Sequence, residues 1–181
     1  AYIRARGKLS EAEVNNRLLD CSDSHWLSTA SHKDRIGNCF TWIKADSTFQ
    51  GLVQAIHEFD DRVFIGDIPP KRHTVNQNKT KFIDSIRVHK NYGSTLREPW
   101  FELDIALNPD LVAIIGNKGS GKSALSDIIA LVGNTRHHQK FSFLKETRFR
   151  SPKRKFAEHF KGILKWHDGK ETERLLHEDP D

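Results

Sequence analysis

The chain has 181 residues, with 29 Lys and Arg against 24 Asp and Glu, a formal net charge of +5, two cysteines and no methionine. That length allows one ordinary domain or two small ones. Two cysteines exclude a disulfide framework, and the opening stretch has neither the apolar core of a signal peptide nor a run long enough to span a membrane, so a reducing cytoplasm is the expected compartment.

The start at Ala1 and the lack of methionine are what a fragment of a longer protein would show. Charge is unevenly placed. Residues 1–60 carry seven Lys and Arg against eight Asp and Glu, and residues 61–181 carry 22 against 16, so the positive charge belongs to the second part.

In chain order, the first feature is Cys21-Ser22-Asp23-Ser24-His25, which follows the short apolar pair Leu18-Leu19. That order would set a carboxylate and an imidazole side by side at a strand end, and both Asp23 and His25 are good ligands for Zn, Mn or Fe. A capped turn accounts for the same residues. Asp46-Ser47 next reads as the polar start of a helix, with Phe49, Leu52, Val53 and Ile56 at helical spacing and expected in the core. Val63-Phe64-Ile65-Gly66-Asp67 is an apolar run broken by glycine. Paired prolines at Pro69 and Pro70, and Asn76, Gln77 and Asn78 beyond them, predict a linker over residues 67–80, between a first part at 1–66 and a second at 81–181.

Two strands are predicted at the start of the second part. Residues 82–88 and 100–107 both alternate apolar and polar side chains, as strands of a half-solvated sheet do. The uninterrupted run Leu111-Val112-Ala113-Ile114-Ile115 predicts a strand buried on both faces. It leads into Gly116, Asn117, Lys118, Gly119, Ser120, Gly121, Lys122 and Ser123, a complete G-x-x-x-x-G-K-S/T loop.

The chemistry asks for these residue types at this spacing. Glycines let successive N–H groups curl toward phosphate oxygens, the lysine supplies charge, and the Ser123 hydroxyl can ligate Mg²⁺. Ala124, Leu125, Ile128, Ile129 and Val132 follow at helical spacing, so a helix starting at the loop would aim its positive dipole end at the phosphates. A chance match would arise in well under about 1% of chains this long. The loop therefore predicts ATP with Mg²⁺ as the ligand.

A phosphate-loop hydrolase also needs an acidic residue at the end of a second apolar strand. Downstream of Ser123 none is found. Residues 162–169 alternate like a half-exposed antiparallel strand running into an Asp168-Gly169 turn. The chain is thus expected to bind nucleotide with half a site and to be inactive alone. Lys145, Arg148, Arg150, Lys153, Arg154, Lys155 and Lys161 cluster around Phe149, Phe156 and Phe160. Such a stretch can follow a nucleic-acid backbone, and a solvated face over buried phenylalanines fits equally.

Two resemblances join these parts. The run ELDIALNPDLVAIIGNKGSGKSALSDII, with two strands before it, resembles the N-terminal lobe of ABC-type ATPases of the SMC/RecF class. The runs CSDSHW, HKDRIGNCFTWIKADSTFQGLVQAI and DRVFIGDIPP resemble the end of the PHP metallophosphoesterase domain in TrlF-type proteins, which join such a domain to an SMC-like ATPase. Trp42 and Lys44 belong to that likeness. The implied fold is α/β: an ATPase N-terminal lobe with a mixed sheet, preceded by the end of a β/α barrel.

The resemblance further implies metal binding by Asp23 and His25, ATP sandwiched between two heads of a homodimer, nucleotide-base contacts near His89, Lys90 and Tyr92, and work on nucleic acid in repair or defence. The H-x-H pair of a PHP site is absent from this sequence. A nucleotide-gated scaffold with a degenerate phosphoesterase is the alternative.

Overall fold

The computed structural model describes residues 2–21, 23–32 and 34–181, with side chains from Arg6 onward, so Ser22 of the S-D-x-H motif lies outside the described residues. The chain divides into two units, residues 1–73 and 74–181.

In the first unit, helix α1 (Tyr2–Glu11) is followed by a long irregular segment. Strands β1 (Thr41–Ile43) and β2 (Val63–Ile65) then pair antiparallel, Thr41 opposite Ile65 and Ile43 opposite Val63. Between them lie α2 (Phe49–His57) and the single turn α3 (Phe59–Arg62). Helix α2 begins where Thr48 Oγ1 accepts the Gly51 N–H at 3.1 Å, a side-chain cap one residue beyond Asp46-Ser47.

The face of α2 turned inward holds Gly51 and Ala55, with Phe59 of α3 beside them in the sequence of buried positions. A Cβ on Gly51 would lie 2.2 Å from the Asp46 carbonyl oxygen, so the helix presses its glycine onto the preceding turn. The expected core residues Phe49, Leu52 and Ile56 are instead 76%, 39% and 48% exposed. Helical spacing identifies an apolar stripe, but not whether anything covers it.

Leu18 and Leu19 lie in irregular backbone and not at a strand end. The chain there is tied to β1 through Asp20, whose N–H donates to Thr41 Oγ1 at 2.8 Å and whose carboxylate accepts the Phe40 N–H at 3.1 Å. Trp42 acquires a structural role: its indole N–H donates to the Gly66 carbonyl at 3.0 Å, and the Arg72 guanidinium lies 5.3 Å from its ring centre.

Helix α4 (Pro70–Gln77) occupies most of the stretch expected to be a linker, and Val75 within it is buried. Pro70 suits a first helical position, since the N–H it lacks would have had no acceptor within the helix. Strands β3 (Ile83–Lys90) and β4 (Leu103–Ala106) match the two predicted ones. The predicted turn at Asp168-Gly169 joins β5 (Phe160–Trp166) to β6 (Glu171–Leu175), with Gly169 at φ +87°. The sheet order is β4-β3-β5-β6, and every pairing is antiparallel.

Helix α5 (Lys122–Val132) packs on this sheet. Gly162 of β5 sets the distance, because a Cβ there would come within 2.8 Å of Val132 Cγ2 and 2.9 Å of Ile128 Cγ2. Ile86, Val88, Ile128, Leu131, Phe160, Leu164 and Leu176 are completely buried around that contact. Each such side chain contributes about 1.5–3 kcal/mol relative to an exposed one.

Leu111–Ile115 departs from expectation. The run is in no strand, and Leu111 and Ile115 are 86% and 88% exposed. The inner face of the sheet is already filled by α5 with Phe141, Leu144 and Phe149, and the run pairs with no described strand. The fold is therefore α/β with two antiparallel sheets, and not the mixed sheet that a parallel strand at 111–115 would have made.

Candidate functional site

The glycine-rich loop ends directly in α5. Gly116, Gly119 and Gly121 have φ of +154°, +88° and +88°, conformations that other residues adopt only with strain. Gly116 is further constrained, since a Cβ there would sit 2.6 Å from Ser120 Oγ. Ser120 N–H closes a turn on the Asn117 carbonyl at 3.2 Å, and Gly121 caps the helix. The first intrahelical bond runs from Leu125 N–H to the Gly121 carbonyl at 2.9 Å. The N–H groups of Lys122, Ser123 and Ala124 thus belong to the open first turn, where backbone donors and the helix dipole favour an anion. Lys122 Nζ donates to the Gly116 and Asn117 carbonyls, both at 2.8 Å, and so lies across the loop.

This loop forms one wall of a cleft of about 1220 Å³. Residues 118–124 line it together with Thr147, Arg148, Ser151, Lys153 and Arg154, and Trp100, Phe101, Phe143, Phe149 and Phe156 supply aromatic surface. The rings hold each other: Trp100 meets Phe156 edge-on at 5.0 Å, Phe101 meets Phe149 edge-on at 5.5 Å, and Phe143 stacks on Phe149 at 4.6 Å. Aromatics interleaved with cations over 148–156 were visible in the sequence. That they and Trp100 share a cleft with residues 118–124 was not, because nothing local encodes that meeting.

The basic stretch is divided by the structure. Arg150 turns inward with its side chain 11% exposed; Nε donates to the Leu176 carbonyl at 2.7 Å, Nη1 pairs with Asp179 at 2.6 Å, and Nη2 donates to the Glu178 carbonyl. Lys161 pairs with Glu173 across β5 and β6 at 2.8 Å, and its hydrogen bond and charge hold the Glu173 carboxyl below its usual range. Lys155 lies 3.8 Å from Glu158. Arg148, Lys153 and Arg154 line the cleft, whereas Lys145 and Lys155 are exposed and outside its lining.

Asp127 of α5 fixes the start of this segment. Its Oδ2 accepts the N–H groups of Ser142, Phe143 and Leu144 at 2.9, 2.7 and 3.2 Å. Of the residues expected near a base, His89 and Lys90 are part of β3, Lys90 Nζ donates to the Leu96 carbonyl at 3.0 Å, and Tyr92 is fully exposed. None of the three lines the cleft.

In the first unit, Asp23 has a positive φ of 44°. His25 is engaged with Asp34: its N–H donates to the Asp34 carbonyl at 2.9 Å, and Nδ1 lies 3.4 Å from the Asp34 carboxylate. The imidazole therefore has a carboxylate neighbour, but it is Asp34. Among the described residues no group of three or more His, Cys, Asp or Glu could hold a metal ion.

Comparison of the chain with family models, with curated proteins and with solved structures gives no match.

Proposed function

We propose that the second unit is a nucleotide-binding module which takes Mg-ATP at residues 116–123, as the N-terminal lobe of an SMC-like ATPase would. The observation that carries this reading is the direct passage of a loop with three positive-φ glycines into α5, with Lys122 over the loop and a cation-lined cleft in front of it. Phosphate oxygens would replace the Gly116 and Asn117 carbonyls as partners of the ammonium, and the Ser123 hydroxyl would ligate Mg²⁺.

The cleft lining contains no Asp or Glu, which supports binding and not hydrolysis as the property of this chain. Turnover would require acidic and signature residues from a further lobe. In that larger setting the likeness of residues 17–66 to a PHP domain end adds a phosphoesterase, and a second head would close over the nucleotide. The scaffold reading, in which ATP only controls assembly, differs in what the further lobe supplies.

Lys122→Ala tests the nucleotide assignment. Charge-assisted hydrogen bonds to phosphate are worth about 1.5–3 kcal/mol, so Mg-ATP affinity is expected to fall at least about tenfold in calorimetric titration. Equal affinity in parent and variant overturns the reading.

A further inference from the structure

We infer that Arg148, Lys153 and Arg154 form a second polyphosphate-binding wall in the cleft that residues 118–124 also line, so that part of the basic stretch serves the nucleotide and not a nucleic-acid backbone. The inference rests on the nucleotide reading above and adds to it three residues, on a different segment, with an assigned ligand chemistry.

Charge is the first argument. Lys118, Lys122, Arg148, Lys153 and Arg154 all line one cleft, and no carboxylate joins them. Five like charges gathered around one space repel, and a concave surface lined by one sign focuses its field inward. The ligand that suits such a space carries several negative charges at close spacing, as a nucleoside triphosphate does.

Rigidity is the second. Side chains that merely float in solvent give no ordered site, but this wall is built. Phe149 is 6% exposed and packs against Phe143, and Arg150 is clamped to Leu176, Glu178 and Asp179. Phe149 and Arg150 thus anchor the segment, while Arg148, Lys153 and Arg154, at positions on either side of them, line the cleft. Upstream, the Asp127 carboxylate holds Ser142, Phe143 and Leu144 to α5, the helix whose first turn also lines the cleft. Both walls are thereby referred to one helix, which is what preorganised recognition requires. A single nucleic-acid strand also uses a cationic groove with aromatic platforms, so the two ligands are separated by the oligonucleotide arm of the test.

The test uses the full chain and titrates Mg-ATP and AMP into four proteins: parent, Lys122→Ala, the triple variant Arg148→Gln/Lys153→Gln/Arg154→Gln, and the double variant Lys145→Gln/Lys155→Gln. The three wall residues are exposed, so the triple variant is expected to retain the parent's melting temperature. If it does not, the single variants Arg148→Gln and Arg154→Gln take its place.

The expected result is a loss of Mg-ATP affinity of at least about tenfold in the triple variant, a loss of less than about threefold for AMP, and no change in the double variant. The double variant removes like charge from the same segment outside the cleft, and so separates contact from a general field effect. Loss in Lys122→Ala with none in the triple variant overturns the wall and leaves the nucleotide reading standing. Loss in neither variant, or no ATP binding by the parent, overturns both. Unchanged ATP affinity in the triple variant together with weaker, less salt-dependent binding of a single-stranded oligonucleotide overturns the wall in favour of a nucleic-acid track.

Discussion

The two units use similar amounts of apolar sequence very differently. Among the described residues, the second unit buries fifteen hydrophobic side chains, twelve of them in one cluster around α5 and its sheet, whereas the first buries Ala55 and Phe59 and leaves Trp26, Leu27, Phe40, Phe49, Leu52 and Ile56 on its surface. The difference does not lie in composition. In the second unit a helix meets a four-stranded sheet, and Gly162 lets their surfaces touch; in the first, two three-residue strands and short helices offer no broad face to cover. Apolar side chains stabilise only where a complementary surface removes them from water.

The sharpest way to break this comparison is Phe160→Ala. Phe160 is fully buried beneath α5, and its truncation is expected to cost about 3–5 kcal/mol, read as a lower denaturation midpoint. A loss below about 1 kcal/mol would mean that the second unit is no better packed than the first.

A smaller effect asks whether the core or the surface ion pairs stabilise the second unit. Glu173→Gln removes the partner of Lys161 on exposed strands, and is expected to cost no more than about 1 kcal/mol at neutral pH. The sign follows from the lowered folded pKa of Glu173. A carboxyl held below its unfolded value of about 4.3 contributes stability above that pH and loses it as pH falls through the folded value, so parent and variant should converge in acid. A difference that grows on acidification would contradict the pairing.

The smallest effect belongs to the first unit. Phe49 is 76% exposed, and Phe49→Ser should change stability by no more than about 0.5 kcal/mol. A loss of 2 kcal/mol or more, on the scale of about 2–5 kcal/mol for buried side chains, would place Phe49 in a core and restore the reading that its helical spacing first suggests.

What was legible in the sequence was local. The alternation in β3 and β4, the Asp168-Gly169 hairpin, and the glycine loop opening α5 all depend on residues close in the chain, and all are present. What failed required knowledge of distant surfaces. Leu111–Ile115 is as apolar as a buried strand, but a strand needs a neighbour to bond with. Phe49, Leu52 and Ile56 mark a stripe, but the packing chose the Gly51 and Ala55 side. Leu18 and Leu19 read as a strand leading to Asp23 and His25, but the backbone there is irregular, and His25 has Asp34 as a carboxylate neighbour. The candidate site was half legible for the same reason: the glycine-rich loop is a local pattern, and Arg148, Lys153 and Arg154 come to line a cleft with residues 118–124 only once the chain has folded.

The attachment of residues 142–144 to a single carboxylate oxygen of Asp127 has a mechanical meaning. Residues before and after it, 118–124 and members of 147–154, line one cleft, and this oxygen ties the chain between them to α5. Pulling residues 142–144 away from α5 would break three hydrogen bonds to one carboxylate oxygen, each worth about 1.5–3 kcal/mol. If the cleft takes a nucleotide, as proposed above, that tether keeps its two lining segments on one helix before any ligand arrives.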